Sequence, residues 1–296
     1  MCRLPRFTLS LFALAAAGAA PARAPTLPYE LPTRFEAGLI YVLPQTRQGV
    51  ELRLFTDSGG GLFLSTTAAD LIGAEYDADP RADDAPLGRA AWPEFAEHAW
   101  IPAPRMPADG LPIIAMPAQL QLSDGEVMNG MLGAPWFADR CWQIDYPAQS
   151  LRLLANGALP TDASPAHTVK LGFLKNAKGE HGAHFARISA RIDGEPLEML
   201  FDTGATLVLK PDAAATIADG LPRRRAGSFI TQTVAKRWRQ RHPDWLYIES
   251  GEFGSNADLI RVADVEVAGY HTGPVWFALR PDRNFHEYMS QWMDQR

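Results

Sequence analysis

Short apolar runs of strand length, separated by turn-forming residues, dominate the chain after residue 25. In the first half, the candidate strands span residues 39–43, 50–55, 62–65, 111–116, 118–122 and 143–154. One short helix is predicted over residues 66–72, with Ala68, Ala69 and Leu71 as its apolar positions. Because strand runs outnumber helical runs, the pattern predicts an all-β fold that is rich in strands and has only short helices.

The same pattern starts again in the second half of the chain. Strand-like runs at residues 184–192, 197–201 and 207–209 precede a predicted short helix at 211–217. An ungapped offset of 145 residues (202 − 57) superposes Asp57 on Asp202 and aligns glycines and apolar residues around them. The aligned pairs are Gly49 with Gly194, Leu52 with Leu197, Gly59 with Gly204, Leu62 with Leu207, Leu64 with Leu209, Ala69 with Ala214 and Ile72 with Ile217. Such a run of matches indicates an internal duplication.

A turn-rich segment, residues 156–167, separates the two copies and is the best linker candidate. We therefore expect one domain over residues 25–160 and a second over residues 161–296. The chain of 296 residues is long enough for two domains that each bury a core.

The first 24 residues have the three parts of a secretory signal peptide. Arg3 and Arg6 make a basic start, residues 7–20 form a short apolar run, and small residues follow up to Ala24. The alternative is a buried N-terminal helix. A signal peptide over residues 1–24 predicts a periplasmic or secreted protein. Its removal would take away Cys2 and leave Cys141 as the single cysteine, so no intramolecular disulfide is expected.

The net charge and the hydropathy of the chain indicate which kinds of binding partner to expect. The net charge of −6 argues against nucleic acid as the main partner. No stretch after the N-terminus reaches the roughly 18 apolar residues of a membrane span, so no stable span is expected there. Two basic clusters, residues 223–225 and 236–242, are interpreted as solvated surface rather than as a site for an anionic partner.

Two motifs carry the candidate chemistry, residues 54–59 (LFTDSG) and residues 199–206 (MLFDTGAT). In each, an apolar strand runs directly into an aspartate, then a hydroxyl residue, then a glycine. A carboxylate at the end of an apolar strand is costly unless it is hydrogen-bonded or used in chemistry. Glycine lets another chain segment approach closely, and the hydroxyl can bind backbone groups of the loop.

The Asp-Ser/Thr-Gly pattern resembles the active-site loop of aspartic peptidases, and residues 201–206 (FDTGAT) resemble those of the retropepsin-like members, including bacterial ones with two lobes in one chain. The resemblance implies two related β-barrel lobes around a pseudo-twofold axis in a monomer, with no cofactor and no metal. It assigns Asp57 and Asp202 as the catalytic pair. It gives supporting roles in the active-site loops to Ser58, Gly59, Thr203, Gly204 and Thr206.

A second motif of this family, two apolar residues followed by glycine beneath the aspartate loop, resembles Met131-Leu132-Gly133. Leu132 and Gly133 are therefore assigned to loop support. The implied activity is endopeptidase cleavage of peptide or protein substrates by a water that two carboxyls, sharing one proton, activate.

Other interpretations of these residues are less favoured. The sequence of residues 56–60 (TDSGG) resembles the Asp-Ser-Gly-Gly loop of trypsin-like serine proteases, but the histidine base of that family precedes the serine, and the first histidine here is His98. His181 and His184 have a helical metal-ligand spacing. The residues that follow them are strand-like, so a solvated loop is the favoured interpretation.

The second lobe departs from the family pattern at its C-terminal end. No glycine follows Gly273, so the second apolar-apolar-glycine motif and its later strands are missing. We expect an incomplete second lobe with an unpaired sheet edge and weak or absent peptidase activity. The alternative function is therefore a noncatalytic relative that binds extended peptides in the cell envelope.

Overall fold

The computed structural model describes residues 25–77, 86–115, 128–159, 163–173 and 184–284. Strands make up most of its regular structure, and its helices are few and short. This confirms the prediction of a strand-rich chain with short helices. The predicted signal peptide, the candidate strand at 118–122 and the C-terminal residues 285–296 lie outside the described residues. None of the described helices is long and apolar enough to cross a membrane.

The described part of the first half, up to residue 159, consists mainly of short strands. These are β1 (Tyr29–Glu30), β2 (Thr33–Glu36), β3 (Leu39–Val42), β4 (Leu54–Asp57), β5 (Phe63–Ser65), β6 (Gly88–Ala90), β7 (Leu111–Ile114), β8 (Gly130–Gly133), β9 (Cys141–Asp145) and β10 (Ser150–Leu154). The α-helices are α1 (Thr66–Ile72) and α2 (Ala134–Phe137), and Glu97–Ala99 form a short 3₁₀ helix. The hydroxyl of Ser65 caps α1 by accepting the N–H of Ala68, and Gly73 ends it with a φ of 70°.

A seven-stranded sheet with the order β2-β3-β4-β8-β5-β7-β6 carries the first aspartate. Strand β4 lies inside this sheet, antiparallel to β3 and parallel to β8, so that Asp57 pairs with Gly133. Leu54 and Leu132 belong to the largest core, whose fully buried centre includes Trp136. A three-stranded sheet, β1-β10-β9, contributes Leu151 and Leu153 to the same core.

The second half repeats the mixture of short strands and helices. Its described strands are β11 (Arg187–Ile192), β12 (Glu195–Leu200), β13 (Thr206–Val208), β14 (Arg224–Ala226), β15 (Ser228–Thr231), β16 (Tyr247–Ile248), β17 (Leu259–Val262), β18 (Val265–Val267), β19 (Tyr270–Thr272) and β20 (Val275–Arg280). The helices are α3 (Pro211–Ile217) and α4 (Gln232–Arg241). The sheets have the orders β12-β11-β18-β19, β15-β20-β17-β16 and β13-β14, around a core that contains Trp238.

The two halves share local elements but differ in their sheets. The offset of 145 residues maps α1 onto α3 at both ends (211 − 66 and 217 − 72), and β4 and β12 each lead into an aspartate. However, β4 has a neighbour on each side, whereas β12 is the edge strand of its sheet in the described part of the chain. Every sheet in that part is open, so the described strands do not form the closed barrels that the resemblance implies.

Two candidate strands are longer in the sequence pattern than in the structure. Of the predicted strand 50–55, only residues 54 and 55 belong to a strand, β4. The N–H of Leu52 instead donates to the carbonyl of Pro44 in the preceding loop. The run 143–154 is a hairpin of β9 and β10, joined by a turn in which Gln149 has a φ of 53°. The sequence carries a signal for this turn in Pro147 and in Asp145, whose Oδ1 accepts the N–H of Ala148 (2.9 Å), and the prediction of one continuous run overlooked it.

Candidate active site

Asp57 ends a strand that is fixed on both sides. Leu54, Phe55 and Thr56 are buried, and the Thr56 hydroxyl donates to the carbonyl of Ile40 (3.0 Å). After the aspartate, the chain turns back, and the N–H of Gly60 donates to the Asp57 carbonyl (2.9 Å). The first aspartate is therefore presented by a rigid turn at the end of an interior strand.

Strand β8 and the residue that follows it pack against this turn. The Ala134 N–H donates to the Gly60 carbonyl (3.0 Å), and Leu132 is buried in the main core. A Cβ on Gly133 would collide with the carbonyl oxygens of Gly60 and Gly61. Glycine at 133 is therefore required by the close approach of two backbone segments, which gives the assigned supporting role a physical basis.

Asp202 lies two residues beyond β12 in a turn of the same form. The N–H of Gly204 donates to Oδ1 of Asp202 (2.8 Å), as the N–H of Gly59 donates to Oδ1 of Asp57 (3.0 Å). The Thr206 hydroxyl donates to the Gly204 carbonyl (2.9 Å) and closes the second turn. Each carboxylate is thus held by the glycine two residues after it.

The two turns are joined to each other by their hydroxyl residues. The N–H of Ser58 donates to Oγ1 of Thr203 (3.1 Å), and the N–H of Thr203 donates to Oγ of Ser58 (3.0 Å). The Ser58 hydroxyl also donates to the Phe201 carbonyl (2.7 Å). Both hydroxyl residues are buried, at 6% and 5% exposure. These reciprocal hydrogen bonds hold the two aspartate turns together, and the burial of both hydroxyl residues keeps the bonds away from water.

The glycines allow the two carboxyl groups to approach. A Cβ on Gly59 would lie 2.5 Å from Oδ2 of Asp202, and a Cβ on Gly204 would lie 2.6 Å from Cβ of Asp57. Real Cβ atoms do not come this close to other heavy atoms. Each turn therefore packs its glycine against the aspartate of the other turn, and any larger residue would push the carboxyls apart.

Burial and the second carboxylate control the protonation of the site. Burial, the charge of Asp202 and a hydrogen bond to Asp202 raise the pKa of Asp57 from 3.8 to about 8, while the hydrogen bond from Gly59 opposes them. With its pKa raised to about 8, the Asp57 carboxyl keeps its proton at neutral pH and can donate it to Asp202. One member is then an acid and the other is a base, which is the requirement for activating water and protonating a carbonyl together.

The structure brings all the predicted site residues to one region. Asp57, Ser58, Gly59, Asp202, Thr203 and Gly204 form the two joined turns, Thr206 closes the second turn, and Leu132 and Gly133 support the first. Two pairs of residues related by the 145-residue offset make equivalent hydrogen bonds: Ser58 with Thr203, and Gly59 with Gly204.

The alternative sites receive no support from the geometry. The hydroxyl of Ser58 is buried between the two turns, and the ring of His98 bonds Gln45 instead. The described residues contain no group of three or more histidine, cysteine or acidic side chains that could hold a metal ion. His184 lies 3.5 Å from a nitrogen of Arg105, and His181 is outside the described residues.

Two contacts of the site were not expected from the sequence pattern. Leu200, two residues before Asp202 within the second motif, packs against Ala134 of the first half and Phe185. Arg224, assigned to a solvated cluster, instead donates to the hydroxyl of Tyr41 (2.7 Å), and Arg225 is buried and paired with Asp219. The interpretation of residues 223–225 as solvated surface is therefore wrong for these two side chains, because their guanidinium groups find partners within the fold.

The second basic cluster lies on α4 and is partly solvated. Trp238 of this helix is fully buried, whereas Arg237 and Arg241 pair with Glu195 at its surface (2.7 Å and 3.1 Å). His242 lies 2.8 Å from Asp193. These pairings involve part of the cluster, while Lys236 and Arg239 are exposed, as expected of a helix with one solvated side.

Support for the second turn differs from that of the first. The carbonyl of Ala205, which corresponds to Gly60 at the same offset, accepts the N–H of Gly227 (2.8 Å) instead of a residue on a strand equivalent to β8. The loop before β15 thus takes over one backbone contact that β8 makes in the first half. In the described residues, β12 has no second neighbour.

No protein-family model, no curated protein and no solved structure matches the chain.

Proposed function

We propose that the protein is a two-lobed, retropepsin-like aspartic endopeptidase in which Asp57 and Asp202 form one catalytic pair. The observation that carries the proposal is the joining of the two aspartate turns by reciprocal hydrogen bonds between Ser58 and Thr203. This joining brings the two carboxyls into hydrogen-bonding contact. An Asp-Gly turn that served only to connect strands would not need a second such turn packed against it.

In the proposed reaction, a water molecule lies against the carboxyl pair. The ionised carboxylate accepts a proton from this water as its oxygen attacks the carbonyl carbon of the peptide bond. The protonated carboxyl donates its proton to the carbonyl oxygen at the same time, so the pair stays singly protonated. Collapse of the tetrahedral intermediate then breaks the C–N bond. The carboxyl that took the proton from water gives it to the leaving amine, and one hydroxyl of the intermediate passes its proton to the other carboxylate, so the pair is again singly protonated.

The roles of the other residues follow from their contacts. Ser58 and Thr203 fix the spacing of the two carboxyls, and Gly59 and Gly204 make room for them. Neither a metal nor a cofactor is part of the proposal. The substrate class is an extended peptide or protein segment, the working form is a monomer, and the location is the periplasm or the exterior.

A noncatalytic peptide-binding function is the second candidate, and one observation favours it. Strand β12 has an open edge next to Asp202, in the part of the structure described. An extended peptide can add to such an edge through backbone hydrogen bonds. The unsupported edge would also leave the second turn less rigid than catalysis needs.

A peptide-library cleavage assay between pH 4 and pH 8 separates the two functions. Although the sequence predicts weak or absent activity, the joined aspartate turns lead us to expect cleavage by the native protein, its loss in Asp202→Asn, and its block by a pepstatin-type transition-state mimic. The matched control is Asp212→Asn, an exposed aspartate in the first turn of α3. If no peptide is cleaved but library peptides bind equally well to native protein and Asp202→Asn, the binding function replaces the enzymatic one.

A further inference from the structure

A second link joins the two halves, away from the hydroxyl residues of the aspartate turns. The Arg224 guanidinium donates to the Tyr41 hydroxyl (2.7 Å), and the Ala226 N–H donates to the Ala37 carbonyl (2.8 Å). Arg224 and Ala226 are the ends of β14, while Ala37 and Tyr41 lie on the β2–β3 hairpin. We call these four residues the β14 clasp.

Each side of the clasp is connected to one aspartate through a short strand pairing. Tyr41 pairs with Phe55 across β3 and β4, two residues before Asp57. Thr206, four residues after Asp202, pairs with Ala226 across β13 and β14. The clasp therefore spans from the strand that presents the first carboxyl to the strand that follows the second.

The Tyr41 side of the clasp is buried and tightly held. The Tyr41 ring is fully buried and packs against Phe55, with 5.4 Å between the ring centroids. The Arg53 guanidinium lies over its face at 4.2 Å and pairs with Glu36. A buried tyrosine hydroxyl needs a hydrogen-bond partner, and Arg224, from the other half of the chain, supplies it.

The hairpin turn on the clasp adopts an unfavourable backbone conformation. Ala37 has a φ of 49°, in the left-handed region that non-glycine residues seldom occupy, and Gly38 has a φ of 82°. A Cβ on Gly38 would lie 2.8 Å from the Cβ of Ala226. The turn is therefore shaped to fit closely on β14 despite the conformational cost to Ala37.

We propose that Tyr41 and Arg224 are positioning residues that set the separation of Asp57 and Asp202. The proposal rests on the paired-aspartate function stated above, and it concerns residues that touch neither carboxyl. Loss of the contact would let β13 and β4 move apart, so the carboxyls would be held less closely. A displacement on the order of 1 Å at a reacting group can lower a rate by about 100-fold.

The test compares Tyr41→Phe and Arg224→Met with the native protein. Tyr41→Phe removes one oxygen and keeps the ring, so we expect about tenfold lower kcat with KM within about twofold. The Asp57 carboxyl should also titrate at lower pH, measured by ¹³C NMR of its Cγ, since weaker contact with Asp202 relieves the repulsion. The double variant should lose no more kcat than the worse single variant, since both changes break one contact.

Tyr247→Phe is the matched control. Its hydroxyl also bonds a charged partner, the Asp258 carboxylate, but in the sheet that contains β16 and β17. We expect it to lower the melting temperature while kcat and the Asp57 titration stay unchanged. The clasp proposal is overturned if Tyr41→Phe behaves in the same way as this control.

The cleavage rate and the NMR titration together distinguish failure of the clasp proposal from failure of the proposed peptidase function. The NMR titration needs no substrate, so it tests the positioning claim even in a protein that cleaves nothing. No cleavage by the native protein, together with a shifted titration in Tyr41→Phe, would refute the peptidase and uphold the clasp. Normal cleavage with an unshifted titration in both clasp variants would do the reverse.

Discussion

Replacement of Asp57 by asparagine should flatten the pH dependence of protein stability. Burial and Asp202 raise the pKa of Asp57 to about 8 in the folded state, against its ordinary value of 3.8 in the unfolded chain. Between these values the folded state binds a proton that the unfolded state releases. Stability from this group is therefore complete below about pH 4 and is lost as the pH rises through about 8.

The magnitude follows from the size of the shift. Between the two pKa values of Asp57, each pH unit lowers the unfolding free energy by about 1.4 kcal/mol. The contribution of Asp57 to stability therefore falls by about 3 kcal/mol between pH 5 and pH 7. Over the whole window the change amounts to roughly 6 kcal/mol. Asparagine carries no titrating proton and keeps the shape of the side chain. It should remove this dependence without opening a cavity.

The assay is urea unfolding of native protein, Asp57→Asn and the exposed control Asp212→Asn at pH 5 and pH 7. Other titrating groups, such as His271 with its raised pKa beside Asp264, change all three proteins equally and cancel in the comparison. The native protein and the control should each lose about 3 kcal/mol more than Asp57→Asn. Parallel losses in all three proteins would show that Asp57 does not hold a proton, and the account of the pair would fail.

Three further predictions test the packing of the site and the core. Ser58→Ala removes the hydroxyl that joins the two turns. It should lower the unfolding free energy by about 2 kcal/mol and the cleavage rate by more than tenfold, whereas Ser58→Thr, which keeps the hydroxyl, should retain the native stability and cleavage rate. Gly204→Ala should abolish cleavage, because its Cβ would lie 2.6 Å from the Cβ of Asp57, whereas Gly172→Ala, with a nearest contact at 3.7 Å, should be neutral in both assays. Trp238→Ala should cost about 3–5 kcal/mol in urea unfolding, since the indole is fully buried; a loss below 1 kcal/mol would contradict this packing.

The local elements around the aspartates could be predicted from sequence because their signals are local. An apolar strand, an aspartate, a hydroxyl residue and a glycine occur within six positions at both Asp57 and Asp202. The repeat at one offset also anticipated the positions of α1 and α3. The glycines were informative since close approach between chain segments leaves little choice of residue at positions such as Gly133.

The contacts between distant parts of the chain could not be predicted in the same way. Tyr41 and Arg224 are 183 residues apart, and nothing in a basic cluster indicates which guanidinium will meet a buried hydroxyl. Side-chain pairing across the fold, rather than local propensity, decided this contact. The hairpin of β9 and β10 is a different case, because its turn contains Pro147 and an Asp145 side chain that accepts the N–H of Ala148, a local signal that the prediction of one run overlooked.

Whether Asp57 and Asp202 act as one catalytic pair can be tested by the rate at which four proteins cleave one susceptible peptide near pH 5. These are the native chain, Asp57→Asn, Asp202→Asn and the double variant. Two carboxyls that act as one unit predict that each single variant loses at least about 1,000-fold in kcat, and that the double variant loses no more than the singles. If either single variant keeps more than about a tenth of the native rate, the pair is not the catalytic centre.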